Sequence, residues 1–235
     1  MYLQKFSDFL KTVNLSAYRE KYSSIKIVEM NLPKNIQAIK LLYRIYWDEK
    51  NFVDFNAFYD IYRRENRKKL SEFRKKIGMC PSCFKKGIEA RIYRTWAGLI
   101  TQMHAGYVAE SVFGKNTVNM SEELDHKGAD IQVQYRELVI NYDVKKKSNS
   151  GVMGRSHKPK EPIPGITIPI RYEVPDLKTI LHPKKKRGTG FLKSYLTFKK
   201  NYLDTKMLRV FSNGFVIFEP YIFEQKKEEI DSKLK

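Results

Sequence analysis

Two short runs of alternating character, ADIQVQY at residues 129–135 and LVINYDVK at residues 138–145, constrain this chain more than any other feature, because they are joined through Tyr135-Arg136-Glu137 alone. A strand turns successive side chains to opposite faces. Asp130, Gln132 and Gln134 therefore share one face of the first run, opposite Ile131 and Val133. In the returning run Val139, Asn141, Asp143 and Lys145 lie together, opposite Leu138, Ile140, Tyr142 and Val144. So short a connection predicts a tight reversal and antiparallel neighbours, with Asp130 and Asp143 near the same edge. Two carboxylates and an ammonium would then meet at one place.

A third carboxylate is expected beside them. From about Glu89 to Phe113 the sequence reads as one long helix closed by Gly114. Ile92, Trp96, Leu99, Met103 and Tyr107 recur at three- and four-residue steps, and Glu110 falls on that same apolar stripe. A carboxylate facing inward needs a cation or hydrogen bonds, and a metal shared with Asp130 and Asp143 would supply one. Carboxylate oxygens are the hard donors that Mg²⁺ selects, and a lysine beside them can orient a water or neutralise charge on a phosphate. The chemistry indicated is phosphodiester hydrolysis, with Asp130, Asp143 and Glu110 as metal ligands and Lys145 as the catalytic amine. Asp125, in SEELDHKGAD, either joins this group through a turn at Lys127-Gly128 or stabilises the loop. A solvated strand or helix end is the bland alternative for each acid.

Charge points to the same class of partner. The chain has 45 Lys and Arg against 26 Asp and Glu, a formal net charge of +19, which calls for a polyanion. Residues 61–95 hold twelve bases against three acids and residues 144–206 sixteen against four, whereas residues 96–143 hold three against seven. Two basic flanks around an acidic block suit an enzyme that gathers phosphates and needs a divalent cation at one of them. Phosphate contacts are expected from Lys146, Lys147, Arg155, Lys158 and Lys160, and from the second basic loop at Lys184, Lys185, Lys186 and Arg187. Arg171 is a candidate base contact, since arginine can bind guanine bidentately. No membrane partner is expected: no apolar run reaches the length of a span, and no basic amphipathic helix accompanies a lipidation signal. The N-terminal MYLQKFSDFLKTV carries charges throughout, unlike a signal peptide, and with only two cysteines a reducing, cytoplasmic setting is expected.

Those two cysteines, Cys80 and Cys83, are half a zinc site. A second pair is missing, and His104, His126, His157 and His182 do not stand at zinc spacing from them, so a turn before the long helix is the favoured reading over zinc or a redox pair. The first ninety residues read as mainly helical, over Leu3–Val13, Asn35–Trp47 and Phe52–Glu65 and then the basic ENRKKLSEFRKK. Asn35 and Asp54 are candidate caps, and Asn31-Leu32-Pro33 marks a break. Tyr43, Tyr46, Trp47, Phe52, Phe55, Phe58 and Tyr62 are expected to pack a core rather than to stack on bases. KKKSNSGVMGRSHKPKEPIPG has the composition of a loop that orders on a polyanion. ITIPIRYEVPD reads as an edge strand, Ser212-Asn213-Gly214 as a hairpin turn, and QKKEEIDSKLK as a frayed helix. The class expected is α/β, in the α+β sense: a mixed sheet flanked by helices in residues 86–235, with a helical region over residues 1–85 packed on it or merged into a single domain.

With Glu110, Asp130, Asp143 and Lys145 in this order, the layout resembles the PD-(D/E)xK nuclease superfamily, with Ala129 where that pattern often carries proline. More narrowly, LSAYREKYSSIKIVEMNLP, YRTWAGLITQMHAGYVAESVFG and MSEELDHKGADI resemble the TaqI-like type II restriction endonucleases. The resemblance implies duplex DNA as substrate, the palindrome TCGA cut on both strands with Mg²⁺, a homodimer, and a cognate DNA methyltransferase in the same system. It also implies that both aspartates of the D-x4-D stretch, Asp125 and Asp130, matter for activity. Two other readings are a structure-selective repair or junction nuclease of the same superfamily and a non-catalytic nucleic-acid-binding protein.

Overall fold

In a computed structural model of the chain, the structure describes residues 2–26, 28, 32–146, 162–172 and 208–233, with backbone alone for Lys145, Lys146, Arg171, Tyr172 and Lys233. It divides into two compact units. One holds residues 1–104 and 211–215, and the other holds residues 105–210 and 216–235.

Helices build the first unit: α1 (Tyr2–Thr12), α2 (Leu15–Tyr22), the short α3 (Ile39–Leu42), α4 (Phe55–Lys76) and the part of α5 (Pro81–Phe113) up to residue 104. The aromatic residues of the N-terminal half form its core, as their spacing predicts. Phe6, Tyr46, Phe55, Phe58, Tyr62 and Trp96 are almost wholly buried. Their polar tips are paired: the Trp96 indole N–H donates to the Tyr46 hydroxyl at 2.8 Å, and the Tyr62 hydroxyl donates to the Ile36 carbonyl at 2.7 Å. Asp54 caps α4, its carboxylate accepting the Ala57 amide at 2.9 Å. That cap moves the helix start from the expected Phe52 to Phe55, and the helix then runs unbroken through the basic segment.

The expected helix over Asn35–Trp47 is corrected. A single 3₁₀ turn covers Lys34–Ile36, Gln37 is extended, and α3 passes directly into a π-helical turn over Tyr43–Asp48. Asn35 lies inside the 3₁₀ turn and does not cap it; that position is held by Pro33. The physical reason for the wide turn is in the burial pattern. Tyr43, Ile45, Tyr46 and Trp47 are all buried, more consecutive inward residues than a 3.6-residue turn can face to one side.

In the second unit the sheet order is β1 (Val118–Asn119), β2 (Ile131–Tyr135), β3 (Leu138–Lys146) and β4 (Ile166–Tyr172). The first three strands are antiparallel and β4 runs parallel to β3, so the sheet is mixed. Gly165 sets the entry to β4. It has φ +102°, and a Cβ there would lie 2.2 Å from the Val139 carbonyl oxygen, so any side chain would push β4 off β3. The face of Ile131, Val133, Ile140, Tyr142 and Val144 is buried, and Tyr142 packs edge-on against Phe223 of the C-terminal helix α7 (Tyr221–Lys233). Asp231 of α7 accepts from the Tyr135 hydroxyl and pairs with Arg136, both at 2.9 Å. The expected hairpin around Asn213-Gly214 is present as β5 (Leu208–Val210) and β6 (Val216–Phe218).

Candidate active site

The β2–β3 register pairs Ile131 with Tyr142, which sets Asp130 and Asp143 one step further along the same ladder. The Asp130 amide donates to the Tyr142 carbonyl at 2.9 Å, and the Val144 amide donates to the Asp130 carboxylate at 2.6 Å. Strand backbone therefore holds Asp130 at both its main chain and its side chain. The segment before it explains how it arrives there. Ser121 caps the short helix α6 (Glu122–Lys127), accepting the Leu124 amide at 3.2 Å. Gly128 closes α6 in the left-handed conformation at φ 98°, its amide donating to the Leu124 and Asp125 carbonyls. A one-turn helix and a glycine reversal thus bring Asp125 back beside Asp130.

Asp130 is only 6% exposed, and its carboxyl is pushed up from the ordinary range to about 7. Burial is the largest cause, opposed by the Val144 amide and reinforced by the charge and hydrogen bond of Asp125 and by the charge of Asp143. Three aspartates therefore act on one another here. Asn141 shares the acidic face as a fully buried amide, accepting from Gln132 at 2.9 Å and donating to the Pro164 carbonyl at 2.8 Å. Sequence reasoning assigned it no role; its alternation with Asp143 was the available signal.

Glu110 is half-buried near the end of α5, and its carboxylate accepts the Asn116 amide at 3.2 Å, closing the turn after the helix. Lys145 stands two residues beyond Asp143 in β3, in register with Arg171 of β4. Its side chain lies outside the described residues, as do those of Lys146 and Arg171. Lys147, Arg155, Lys158, Lys160, Lys184, Lys185, Lys186 and Arg187, the other expected DNA contacts, also lie outside them.

Among the described residues no group of three or more His, Cys, Asp or Glu side chains is disposed to hold a metal ion. The chemistry of the acids still suits a hard divalent cation. A buried carboxyl held near neutrality by two like-charged neighbours gains from a positive charge more than a solvated one does. Cys80 and Cys83 are exposed free thiols. The Cys80 sulfur accepts the Cys83 amide at 3.1 Å at the start of α5, and hydrogen bonds from the Cys83 thiol, the Ser82 hydroxyl and then that amide lower its pKa to about 7. The turn expected here is corrected: α5 begins at Pro81 rather than near Glu89, so Cys83 lies in its first turn and Cys80 immediately precedes it.

A family model described as TaqI restriction endonuclease matches residues 3–230. The type II restriction enzyme TthHB8I of Thermus thermophilus is 31% identical over 230 residues, covering 94% of this chain and 85% of that protein. The type II restriction enzyme TaqI of Thermus aquaticus is 30% identical over 232 residues, with the same coverage of 94% and 85%. No solved structure matches the chain.

Proposed function

The chain belongs to the TaqI restriction endonuclease family, and on that premise we propose that it hydrolyses phosphodiester bonds of double-stranded DNA at a short palindrome, TCGA, with Mg²⁺. One observation carries the reading: the Asp130 carboxyl buried against the Val144 amide with Asp125 and Asp143 beside it. A protein gains no stability from crowding three acids at one strand edge, so the arrangement suits a cation and the phosphate it serves.

Asp130 and Asp143 would hold the Mg²⁺, with Asp125 adding negative charge and Glu110 joining if it exchanges its bond to the Asn116 amide. The ion would supply Lewis-acid polarisation of the scissile phosphate. The remaining work falls to the chain itself. The Val144 amide fixes the orientation of the Asp130 carboxylate. Lys145 would set its ammonium against the charge that gathers on the phosphate, or orient the attacking water. At its ordinary pKa of about 10.4 a lysine holds its proton at neutral pH, which favours the ammonium role. Arg171 would contact a base, and the cations at residues 146–160 and 184–187 would contact phosphates. A palindrome cut on both strands requires two copies of such a site related by a twofold axis, hence a homodimer, and a cell carrying it needs a cognate methyltransferase to protect its own DNA.

The test is a digest of a sequenced genome-sized DNA with Mg²⁺, with the fragment ends mapped. Discrete fragments ending at TCGA are expected, and Asp143→Ala should cut at least about a thousandfold more slowly. Nicking at branches instead would assign the protein to repair, and salt-sensitive binding without product would leave only a DNA-binding protein.

A further inference from the structure

The first unit carries a cationic cleft to which the reading above gives no task. It lies between α4 and the first turns of α5 and encloses about 660 Å³. Its α4 wall is a single stripe at three- and four-residue spacing: Asp60, Arg63, Arg64, Arg67, Ser71 and Arg74. Lys85 and Phe84 face it from α5.

These cations differ in how they are occupied. Arg74 donates to the Met79 carbonyl at 3.2 Å in the last turn of α4, where a positive charge also suits the helix end. Arg63 stands 4.0 Å from Asp60 and 5.8 Å from the centre of the Tyr59 ring. Glu65, an acid of the same helix, is taken by Arg44 at 2.5 Å. Arg64, Arg67 and Lys85 are exposed and have no acidic partner among the described residues. Arg63 and Arg67, one turn apart, repel each other along the helix, as do Arg64 and Arg67. Tyr59 also lines the cleft. It is 5% exposed, and its hydroxyl has no hydrogen-bond partner. Exposed guanidinium and ammonium groups without acidic partners, gathered in one cleft, suit an anion with several acceptor oxygens.

We propose that this cleft binds the phosphate backbone of duplex DNA without regard to sequence, through Arg64, Arg67 and Lys85. The inference rests on the reading of duplex DNA as substrate, and adds a contact surface made of residues other than those at the acidic hairpin. A backbone fits better than a free nucleotide. The cations without an acidic partner among the described residues come from two helices, Arg64 and Arg67 of α4 and Lys85 of α5, and are exposed along an open cleft rather than closed around a point.

The test is equilibrium binding of the full-length protein to a duplex lacking TCGA, followed across salt concentration, for wild type and for Arg64→Ala/Arg67→Ala. Both positions are exposed on a helix and alanine is a strong helix former, so the fold is not at risk; thermal melting checks this. The double variant should bind about tenfold or more weakly at roughly 0.1 M salt, with a log-log salt slope shallower by about 2, since each phosphate contact contributes about 0.9. An unchanged slope and affinity in a folded double variant overturns the proposal. So does stabilisation of wild type by ATP at micromolar concentration with the duplex slope unaffected, which would give the cleft to a small nucleotide. Failure of the underlying functional reading looks different: the wild type would neither bind duplex nor cut it.

Discussion

The aromatic core of the first unit and the acidic edge of the second both bury polar atoms, and they treat them in opposite ways. In the first unit the tips of Trp96, Tyr46 and Tyr62 each have a partner of the matching kind, and the Tyr59 hydroxyl is the exception. Trp96 donates to Tyr46, Tyr46 donates to the Val53 carbonyl, and Tyr62 donates to the Ile36 carbonyl. Burial pushes the Tyr46 and Tyr62 hydroxyls well above their ordinary pKa, so these groups stay neutral at any physiological pH. In the second unit the buried group is Asp130, whose neighbours Asp125 and Asp143 oppose its ionisation. In the first arrangement neutral donors meet neutral acceptors, whereas in the second like charges meet at a buried carboxyl. Stability is concentrated where polar groups are neutral and paired, and function is expected where they are not.

Removing packing from the first unit should give the largest effect on stability. Phe58 is fully buried and its ring stands 6.1 Å from that of Tyr46. Phe58→Ala should lower the free energy of unfolding by about 3–5 kcal/mol, read from denaturant melts. A loss below about 1 kcal/mol would mean that the aromatic cluster is not the core of this unit, and the contrast would fail on that side.

The acidic edge predicts the opposite sign. The carboxyl of Asp130 is raised in the folded state, to about 7, above the value of 3.8 expected when the chain is open. Below about pH 4 it is protonated in both states and costs nothing. As pH rises toward 7 the unfolded chain gives up this proton first, so the stability the neutral carboxyl contributes is lost across that window. Asp130→Asn keeps an acceptor for the Val144 amide and removes the charge. Without Mg²⁺ the variant should gain on wild type between pH 4 and pH 7.5 by about 2–4 kcal/mol, since each pKa unit is worth about 1.4 kcal/mol. Adding Mg²⁺ should raise the melting temperature of wild type more than that of the variant. Melting curves that run parallel from pH 4 to pH 8 would remove the charge conflict from the site.

The same contrast explains what could be read from the residues beforehand. The hairpin was legible because its two faces differ: Ile131, Val133, Ile140, Tyr142 and Val144 alternate with polar residues, and a slip of one position would bury Gln132 and Gln134 in their place. The long helix was legible for the same reason, since Ile92, Trp96, Leu99, Met103 and Tyr107 hold one stripe that is buried throughout. The segment over residues 35–48 was not, because a π-helical turn has no sequence period of its own. Nor was the partner of Glu110: the stripe indicates that the carboxylate turns inward, while its bond to the Asn116 amide depends on how the chain reverses after Gly114. Asp125 was not placeable from the residues alone, since the Ser121 cap and the left-handed Gly128 that fix α6 emerge only in the structure.

The smallest effect tests pairing in the first unit at a single amide. Asn213 donates to the Leu10 and Val13 carbonyls, each at 2.7 Å; the first is a carbonyl that the end of α1 leaves open, and the second also accepts the Leu15 amide at 2.9 Å. It also accepts the Phe215 amide at 3.3 Å. Asn213→Ala should cost about 1–2 kcal/mol, the usual loss when buried acceptors are left without donors. Asn213→Asp is the sharper variant. It preserves the acceptor for Phe215 but has no amide to donate, and it sets a negative charge against the negative end of the α1 dipole, which should cost up to about 1 kcal/mol more. Aspartate should therefore be worse than alanine at this position above pH 5, and should recover as it is protonated. If aspartate is instead the milder change, the turn depends on the Phe215 acceptor, and the unit is not held by the matching of neutral donors to open carbonyls.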